Sequence, residues 1–301
     1  AGPHRRALQA IDGDLWLSQR FAVDFSALLD RNGRTHAGDP DQNSSYLNYG
    51  QDVLAVSAGI VWHLRGVLKL PMWLALTLAS AALADVLMVL QGRTGYVVAF
   101  ALLAMAIMWL MPRKFRLMAL AGAPALLAIG LFYSSDLIQT RVSTIASEIA
   151  AYSQKAETVS SSGWRLNSWT RSVSAIAEQP VRGHGVGGWT VTVKRLQGPS
   201  AVEVFGSGSS SNPHQEYLLW GVELGVGGMF LLVGLMASMV RDFKQFPVPV
   251  HRAGLSTIVA LAIACLFNST IYDGLIGDYF CVLLGLLMAL GQHQPHGAHD
   301  D

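Results

Sequence analysis

The sequence predicts an all-α fold: a polytopic helical membrane protein with about seven transmembrane helices and one large, partly helical loop on a single side. Three observations predict it. Charged residues make up 14% of the chain, against about 25% in ordinary soluble domains. Hydrophobic residues reach 51%, and the mean hydropathy is +0.37. Apolar runs close to the length of a bilayer span recur along the chain and are parted by short basic connections.

The chain opens Ala1-Gly2-Pro3-His4, with neither an initiating methionine nor a signal-peptide pattern. It is expected to be the C-terminal part of a longer protein. Residues 1–45 are polar and rich in turn signals such as Asp-Gly and Asn-Gly, with one short amphipathic helix expected over Leu15–Leu29. They form the first segment, expected on the periplasmic side. Seven apolar runs follow, at roughly 46–62, 72–90, 96–111, 117–133, 215–240, 253–272 and 277–290. The first four make one membrane region, residues 46–133. The last three make a second, residues 214–290, followed by a polar tail over 291–301.

Lysine and arginine orient the spans. The connection His63–Lys69 carries two such residues, Pro112–Arg116 three, and Arg241–Arg252 three. All three connections alternate correctly, so all can face the cytoplasm at once. The opposite face then holds residues 1–45, the loop Gln91–Gly95, the segment 134–213, and Asp273–Asp278. Arg93 is the single arginine in a short outer loop, against the positive-inside trend.

The segment 134–213 reads as a structured periplasmic domain. Ser135-Asp136 can cap a helix, and Ile138, Val142, Ile145, Ile149 and Tyr152 follow as an apolar stripe. Ser162 can cap a second helix over about 163–178, with Trp169, Val173 and Ile176 on one side and an end before Pro180. Gly183, Gly185 and Gly188 match G-x-G-x-x-G, but no strand precedes them and no helix clearly follows, so they read as turn residues. Val191-Thr192-Val193 suggests a short extended piece.

Several side chains have chemistry beyond packing. Arg93, framed by Gly92 and Gly95, is either a fixed cation for a phosphate or an arginine snorkelling to lipid headgroups. With Ser162 as cap, Arg165 falls in the first helical turn. A cation there opposes the helix dipole unless an anion binds at the same place; the alternative is a solvated surface charge. Arg171, six residues on, points to another side. His214 follows the Gly/Ser-rich stretch 207–211 and precedes Tyr217 and Trp220. It is either a general base at the water–membrane boundary or a polar neighbour of an aromatic belt. Asp85 and Glu223 lie within apolar runs, where a carboxylate faces a cavity, a partner or a packed neighbour.

Cys265 and Cys281 fall in apolar runs and read as small core residues. His293, His296 and His299 are spaced by three in a Pro/Gly-containing tail, which argues against a metal site. No zinc, P-loop or Ser-His-Asp pattern is present. The net charge of +1 offers no footprint for nucleic acid.

The order of the motifs is more specific than any one of them. It runs Gly92-Arg93-Thr94-Gly95-Tyr96 and then Ser162-Gly163-Trp164-Arg165-Leu166-Asn167-Ser168-Trp169. Next come the stretch Ala177–Trp189, Asn212-Pro213-His214-Gln215-Glu216-Tyr217-Leu218, and Glu223-Leu224-Gly225-Val226-Gly227-Gly228. Over about residues 30–290 this resembles the O-antigen ligase and O-antigen polymerase superfamily of bacterial envelope proteins, and most of all the O-antigen ligases. Gln215 stands where the family commonly has asparagine, and the family has more spans than are read here.

The resemblance implies an enzyme of the bacterial inner membrane that transfers a glycan from an undecaprenyl-diphosphate carrier to a lipid A–core acceptor at the periplasmic face. It implies no metal and no cofactor. It assigns the diphosphate to Arg93 and Arg165 and the base to His214. Other members polymerise O-antigen or exopolysaccharide, or glycosylate proteins. A transporter is the alternative of another class, with Asp85 and Glu223 along a pathway. The paired broken helices of many transporters are not evident in the sequence.

Overall fold

The computed structural model describes residues 40–88, 93–120, 161–197 and 212–293, with isolated positions between 122 and 147. Among the described residues every regular element is helical. They are α1 (Pro40–Leu64), α2 (Met72–Met88), α3 (Arg93–Leu110), α4 (Ser161–Glu178), α5 (Gly188–Gln197), α6 (Glu216–Leu224), α7 (Val226–Phe243), α8 (Val248–Phe267) and α9 (Gly274–His293), with a 3-10 turn at Arg113–Phe115. Residues from Leu47 onward belong to one compact unit. The other unit, Ala1–Tyr46, lies almost wholly outside the described residues, as do the apolar run 117–133 for the most part, the stripe from Ile138 to Tyr152, and the stretch 207–211.

Helix α8 is the centre of the bundle and packs against α3, α6, α7 and α9. It is buried on nearly every side, at Val250, Ala253, Ile258, Ala260, Leu261, Ala264 and Cys265. Apart from His251 and Arg252 near its start and the buried Ser256 and Thr257 it is apolar, without the polar stripe of a surface helix, as a central position requires. Small residues let its neighbours come close. A Cβ at Gly254 would lie 2.2 Å from Cδ1 of Phe243. Helix α7 is the contrast, with Phe230, Leu231, Val233 and Leu235 exposed on its outer face. An apolar outer face of this kind suits a hydrocarbon solvent.

Three of the helices, α7, α8 and α9, are long and apolar enough to cross a membrane. Shorter apolar stretches, Met72–Val86 and Thr94–Leu110, fall on the second and third runs read from the sequence. The fifth run, 215–240, is not one span. It breaks at Gly225 (φ 74°) into α6 and α7. The break is filled by backbone from the loop after α4. His184 and Gly185 donate their N–H groups to the carbonyls of Val222 and Glu223 at 2.8 and 2.9 Å, and Val226 N–H donates to Pro180 at 2.8 Å. The carbonyls freed by the break are thus satisfied inside the protein, as irregular backbone among apolar helices requires.

Three local expectations are corrected. Val191-Thr192-Val193 is helical, within α5. Valine and threonine favour strands only weakly, and here Trp189 and Val193 on one face of α5 pack against Ala175, Leu219 and Val222. That helix begins at Gly188 itself, so the glycine turn does open a helix, although no strand precedes it. Helix α4 begins at Ser161, which puts Ser162 inside the helix and Arg165 beyond the first turn. Its buried stripe is Ser168, Ser172 and Ala175, while Val173 is exposed. Small residues win that face because α4 lies close on α6 and α5, with the Trp189 indole N–H donating to Ser172 Oγ at 2.9 Å.

Candidate functional site

The turn Asn212-Pro213-His214 is set by its own side chains. Asn212 Oδ1 accepts the His214 N–H at 2.9 Å, and His214 takes φ 51°. A left-handed conformation is uncommon outside glycine, though histidine tolerates it better than most residues. Gln215 then caps α6, its side-chain oxygen accepting from Leu218 N–H. Asparagine is the commoner cap, so glutamine here does the work of the residue it departs from.

Helix α4 holds this turn from the side. The Trp169 indole donates to the Pro213 carbonyl at 3.1 Å. The Trp164 ring meets the His214 imidazole edge to face, with centroids 5.1 Å apart. Arg165, next on the same helix, acts on His214 electrostatically. Its Nη1 also donates to the Phe267 carbonyl at 3.3 Å, a favourable place for a cation at the C-terminal end of α8. Burial and then the Arg165 charge push the imidazole down to about 4. His214 is therefore neutral at physiological pH, with one ring nitrogen able to accept a proton.

The third candidate enters through its neighbour. Arg93 is the first residue of α3, and its side chain lies outside the described residues. Thr94, beside it, is buried, and its Oγ1 accepts from Asn268 Nδ2 at 3.3 Å. Asn268 caps α8 directly after Phe267. The backbone of Arg93, the guanidinium of Arg165 and the turn of His214 are thus all tied to one place, the C-terminal end of α8 and its following loop.

Glu216 secures that loop. It is fully buried beside His214 in sequence, and both carboxylate oxygens are used. Oε1 accepts from the Trp220 indole at 2.9 Å, and Oε2 accepts from the N–H groups of Ile271 and Tyr272 at 3.0 and 3.3 Å. Reading the sequence assigned Glu216 no role. The available signal was an acidic residue opening a largely apolar helix two residues after the candidate base.

The structure places the remaining candidates as follows. Arg171 donates to Asn167 Oδ1 at 2.6 Å and to the Leu196 carbonyl at 2.9 Å, closing the end of α5. Glu223 Oε1 accepts the Gly187 N–H at 2.9 Å and so braces the glycine turn. Asp85 is half-buried near the end of α2 and is not among the groups that act on His214. Among the described residues no three His, Cys, Asp or Glu side chains gather as a metal site would need.

A family model described as O-antigen ligase matches residues 78–233. The chain belongs to the O-antigen ligase family. The matched stretch contains Arg93, Arg165, His214, α6 and the break at Gly225. It stops short of α8, which supplies the carbonyl and the cap that hold the site together. Comparison with curated proteins gives no match. Family membership supports a glycan-handling role of the O-antigen ligase or polymerase type in a multi-pass membrane protein.

Proposed function

We propose that the chain is an inverting glycosyltransferase of the bacterial inner membrane. It moves an O-antigen glycan from undecaprenyl diphosphate to a sugar hydroxyl of lipid A–core at the periplasmic face. The observation that carries this reading is a neutral histidine, set in a fixed turn, beside an arginine at the end of an apolar bundle.

In this reading His214 accepts the proton of the acceptor hydroxyl as that oxygen attacks the anomeric carbon. The bond from that carbon to the diphosphate oxygen breaks on the opposite side. The departing diphosphate carries the developing negative charge, which Arg93 and Arg165 stabilise. Two guanidiniums take the electrostatic part that a divalent cation plays in other diphosphate chemistry. Incoming diphosphate also offsets the Arg165 charge felt by His214, which raises the basicity of the imidazole when the donor is in place.

The test is alanine replacement of His214, Arg165 and Arg93, with membrane insertion verified and lipopolysaccharide resolved on gels. Loss of a general base is expected to lower transfer by about 100- to 10,000-fold, leaving bare cores and accumulated lipid-linked polymer. Cores bearing a single repeat would assign the chain to polymerisation instead. Normal long-chain ladders from an inserted His214→Ala variant would remove the proposed role of that residue.

A further inference from the structure

The end of α8 remote from His214 carries a second cluster that the transfer chemistry does not use. Helix α8 has 20 residues, or about 30 Å at 1.5 Å per residue, so Arg252 and Phe267 mark opposite ends of the bundle. Around Arg252 lies a cavity of about 230 Å³ lined by Trp62, Arg65, Trp109 and Pro249 among others. The guanidinium of Arg252 sits 5.6 Å from the Trp109 ring centroid, and that of Arg65 sits 4.5 Å from the Trp62 ring. Arg65 also donates to the Trp62 carbonyl at 2.6 Å. Arg252 lies within electrostatic reach of both Arg65 and Arg116. Among the described residues no carboxylate pairs with any of the three.

A half-buried cation that faces two others is costly unless an anion joins them. Two of them are already held in place by aromatic faces, which lowers the cost of ordering them when an anion arrives. The chemistry beneath the cluster identifies the anion. A second cavity of about 260 Å³ is almost wholly apolar, lined by Leu76, Leu83, Ala99, Leu102, Leu103 and their neighbours on α1, α2 and α3. The two cavities share Trp62, His63, Ala106 and Leu110. A charged chamber thus adjoins a greasy one that is lined by α1, α2 and α3.

We propose that this pair of chambers is a binding site for an anionic phospholipid of the leaflet opposite the catalytic face, with the phosphate between Arg65 and Arg252 and an acyl chain along α1, α2 and α3. A free anion would need only the first chamber, and a zwitterionic lipid would leave the arginine cluster uncompensated. Basic pockets between membrane helices bind acidic lipid headgroups by the same balance of charge and depth. Seated there, the lipid touches α1, α3 and α8 at once.

Tryptophan quenching tests the site, because Trp62 and Trp109 line it. The full chain is reconstituted in phosphatidylcholine vesicles containing a minor share of phosphatidylglycerol, with one of the two lipids brominated. The signal of the site is the difference between the native chain and a Trp62→Phe/Trp109→Phe variant. Quenching of these residues by brominated phosphatidylglycerol is expected to exceed its mole-fraction share, with a preference of roughly thirtyfold for two arginines. Unlabelled phosphatidylglycerol should reverse it, phosphatidylcholine and millimolar inorganic phosphate should not, and Arg65→Gln/Arg252→Gln should return it to the bulk share. Equal quenching by the two brominated lipids in the native chain would overturn the proposal, whatever the variant does. So would displacement by inorganic phosphate, which would mark a site for free anions. Persistence of the preference in a folded double variant would likewise overturn it.

Discussion

The two ends of α8 carry the same three side-chain types in different settings. At one end His214 meets Trp164 edge to face, with Arg165 acting on it. At the other His63 meets Trp109 edge to face, centroids 4.9 Å apart, with Arg252 and Arg65 acting on it. The trio alone therefore does not define a reactive site. His63 lies in the last turn of α1, in helical backbone. His214 sits in a left-handed turn ahead of a helix, with Arg165 tied to a helix-terminal carbonyl. What separates the ends is where the histidine sits: His214 lies within a left-handed turn beside a broken helix and a docked loop, whereas His63 lies in the last helical turn of α1, ahead of the turn in which Lys69 takes φ 53°.

The comparison breaks most sharply at the helix interruption. Gly225 has φ 74°, and a Cβ there would lie 2.5 Å from the Pro180 carbonyl oxygen. Gly227, two residues on, has open space around it. Gly225→Ala is expected to cost about 2–4 kcal/mol, from the backbone strain together with the displaced loop. It should also abolish transfer while leaving lipid-dependent quenching of Trp62 and Trp109 in place. Gly227→Ala should move neither. Thermal unfolding in detergent, beside the two functional readouts, decides it. Parallel loss at both ends would mean that they are not separate devices.

A smaller effect distinguishes what each arginine does. Lysine keeps the charge but not the planar fork. Arg165 donates to the Phe267 carbonyl and in the proposed reaction would serve the donor as well, so Arg165→Lys is expected to lower transfer by roughly 10- to 30-fold. Arg252 needs to present charge to one phosphate, a task lysine performs as a point cation. Arg252→Lys is expected to keep most of the lipid preference. Transfer assays on isolated membranes and the quenching assay read the two cases. Equal sensitivity of both positions would erase the distinction.

The sequence carried the helices well where composition speaks, and poorly where long-range backbone contacts decide. Runs of apolar residues located α2, α3, α8 and α9 within a few residues, because burial in lipid or in the bundle needs the same residue types. The interruption at Gly225 left no such trace, since a glycine in an apolar run is common in membrane helices. Its positive φ depends on Pro180, more than forty positions earlier. The pairing of Arg165 with His214 was legible from motif order. The Asn268–Thr94 bond that brings α3 to the same place spans 174 positions, and nothing local announces it. The single helix break also bears on the transporter alternative. Among the described residues it has no counterpart in another helix, and its carbonyls are taken by His184 and Gly185 rather than left open toward a pathway.

The smallest effect concerns protons and separates the histidine's own energetics from its chemistry. Burial and Arg165 hold His214 at about 4 in the folded protein, below the 6.5 of an unperturbed imidazole. The unfolded chain therefore binds the extra proton first. Stability from this group is fully present above pH 6.5 and declines as pH falls from 6.5 toward 4, after which both states are protonated and the loss stops. Over the step from pH 6.5 to 5.5 the decline is about 1 kcal/mol. Unfolding midpoints measured across that step should fall less in His214→Gln than in the native chain, because glutamine does not titrate. An identical fall in both would mean that the imidazole is not held neutral by its surroundings, and the base assigned to the reaction would lose its electrostatic footing.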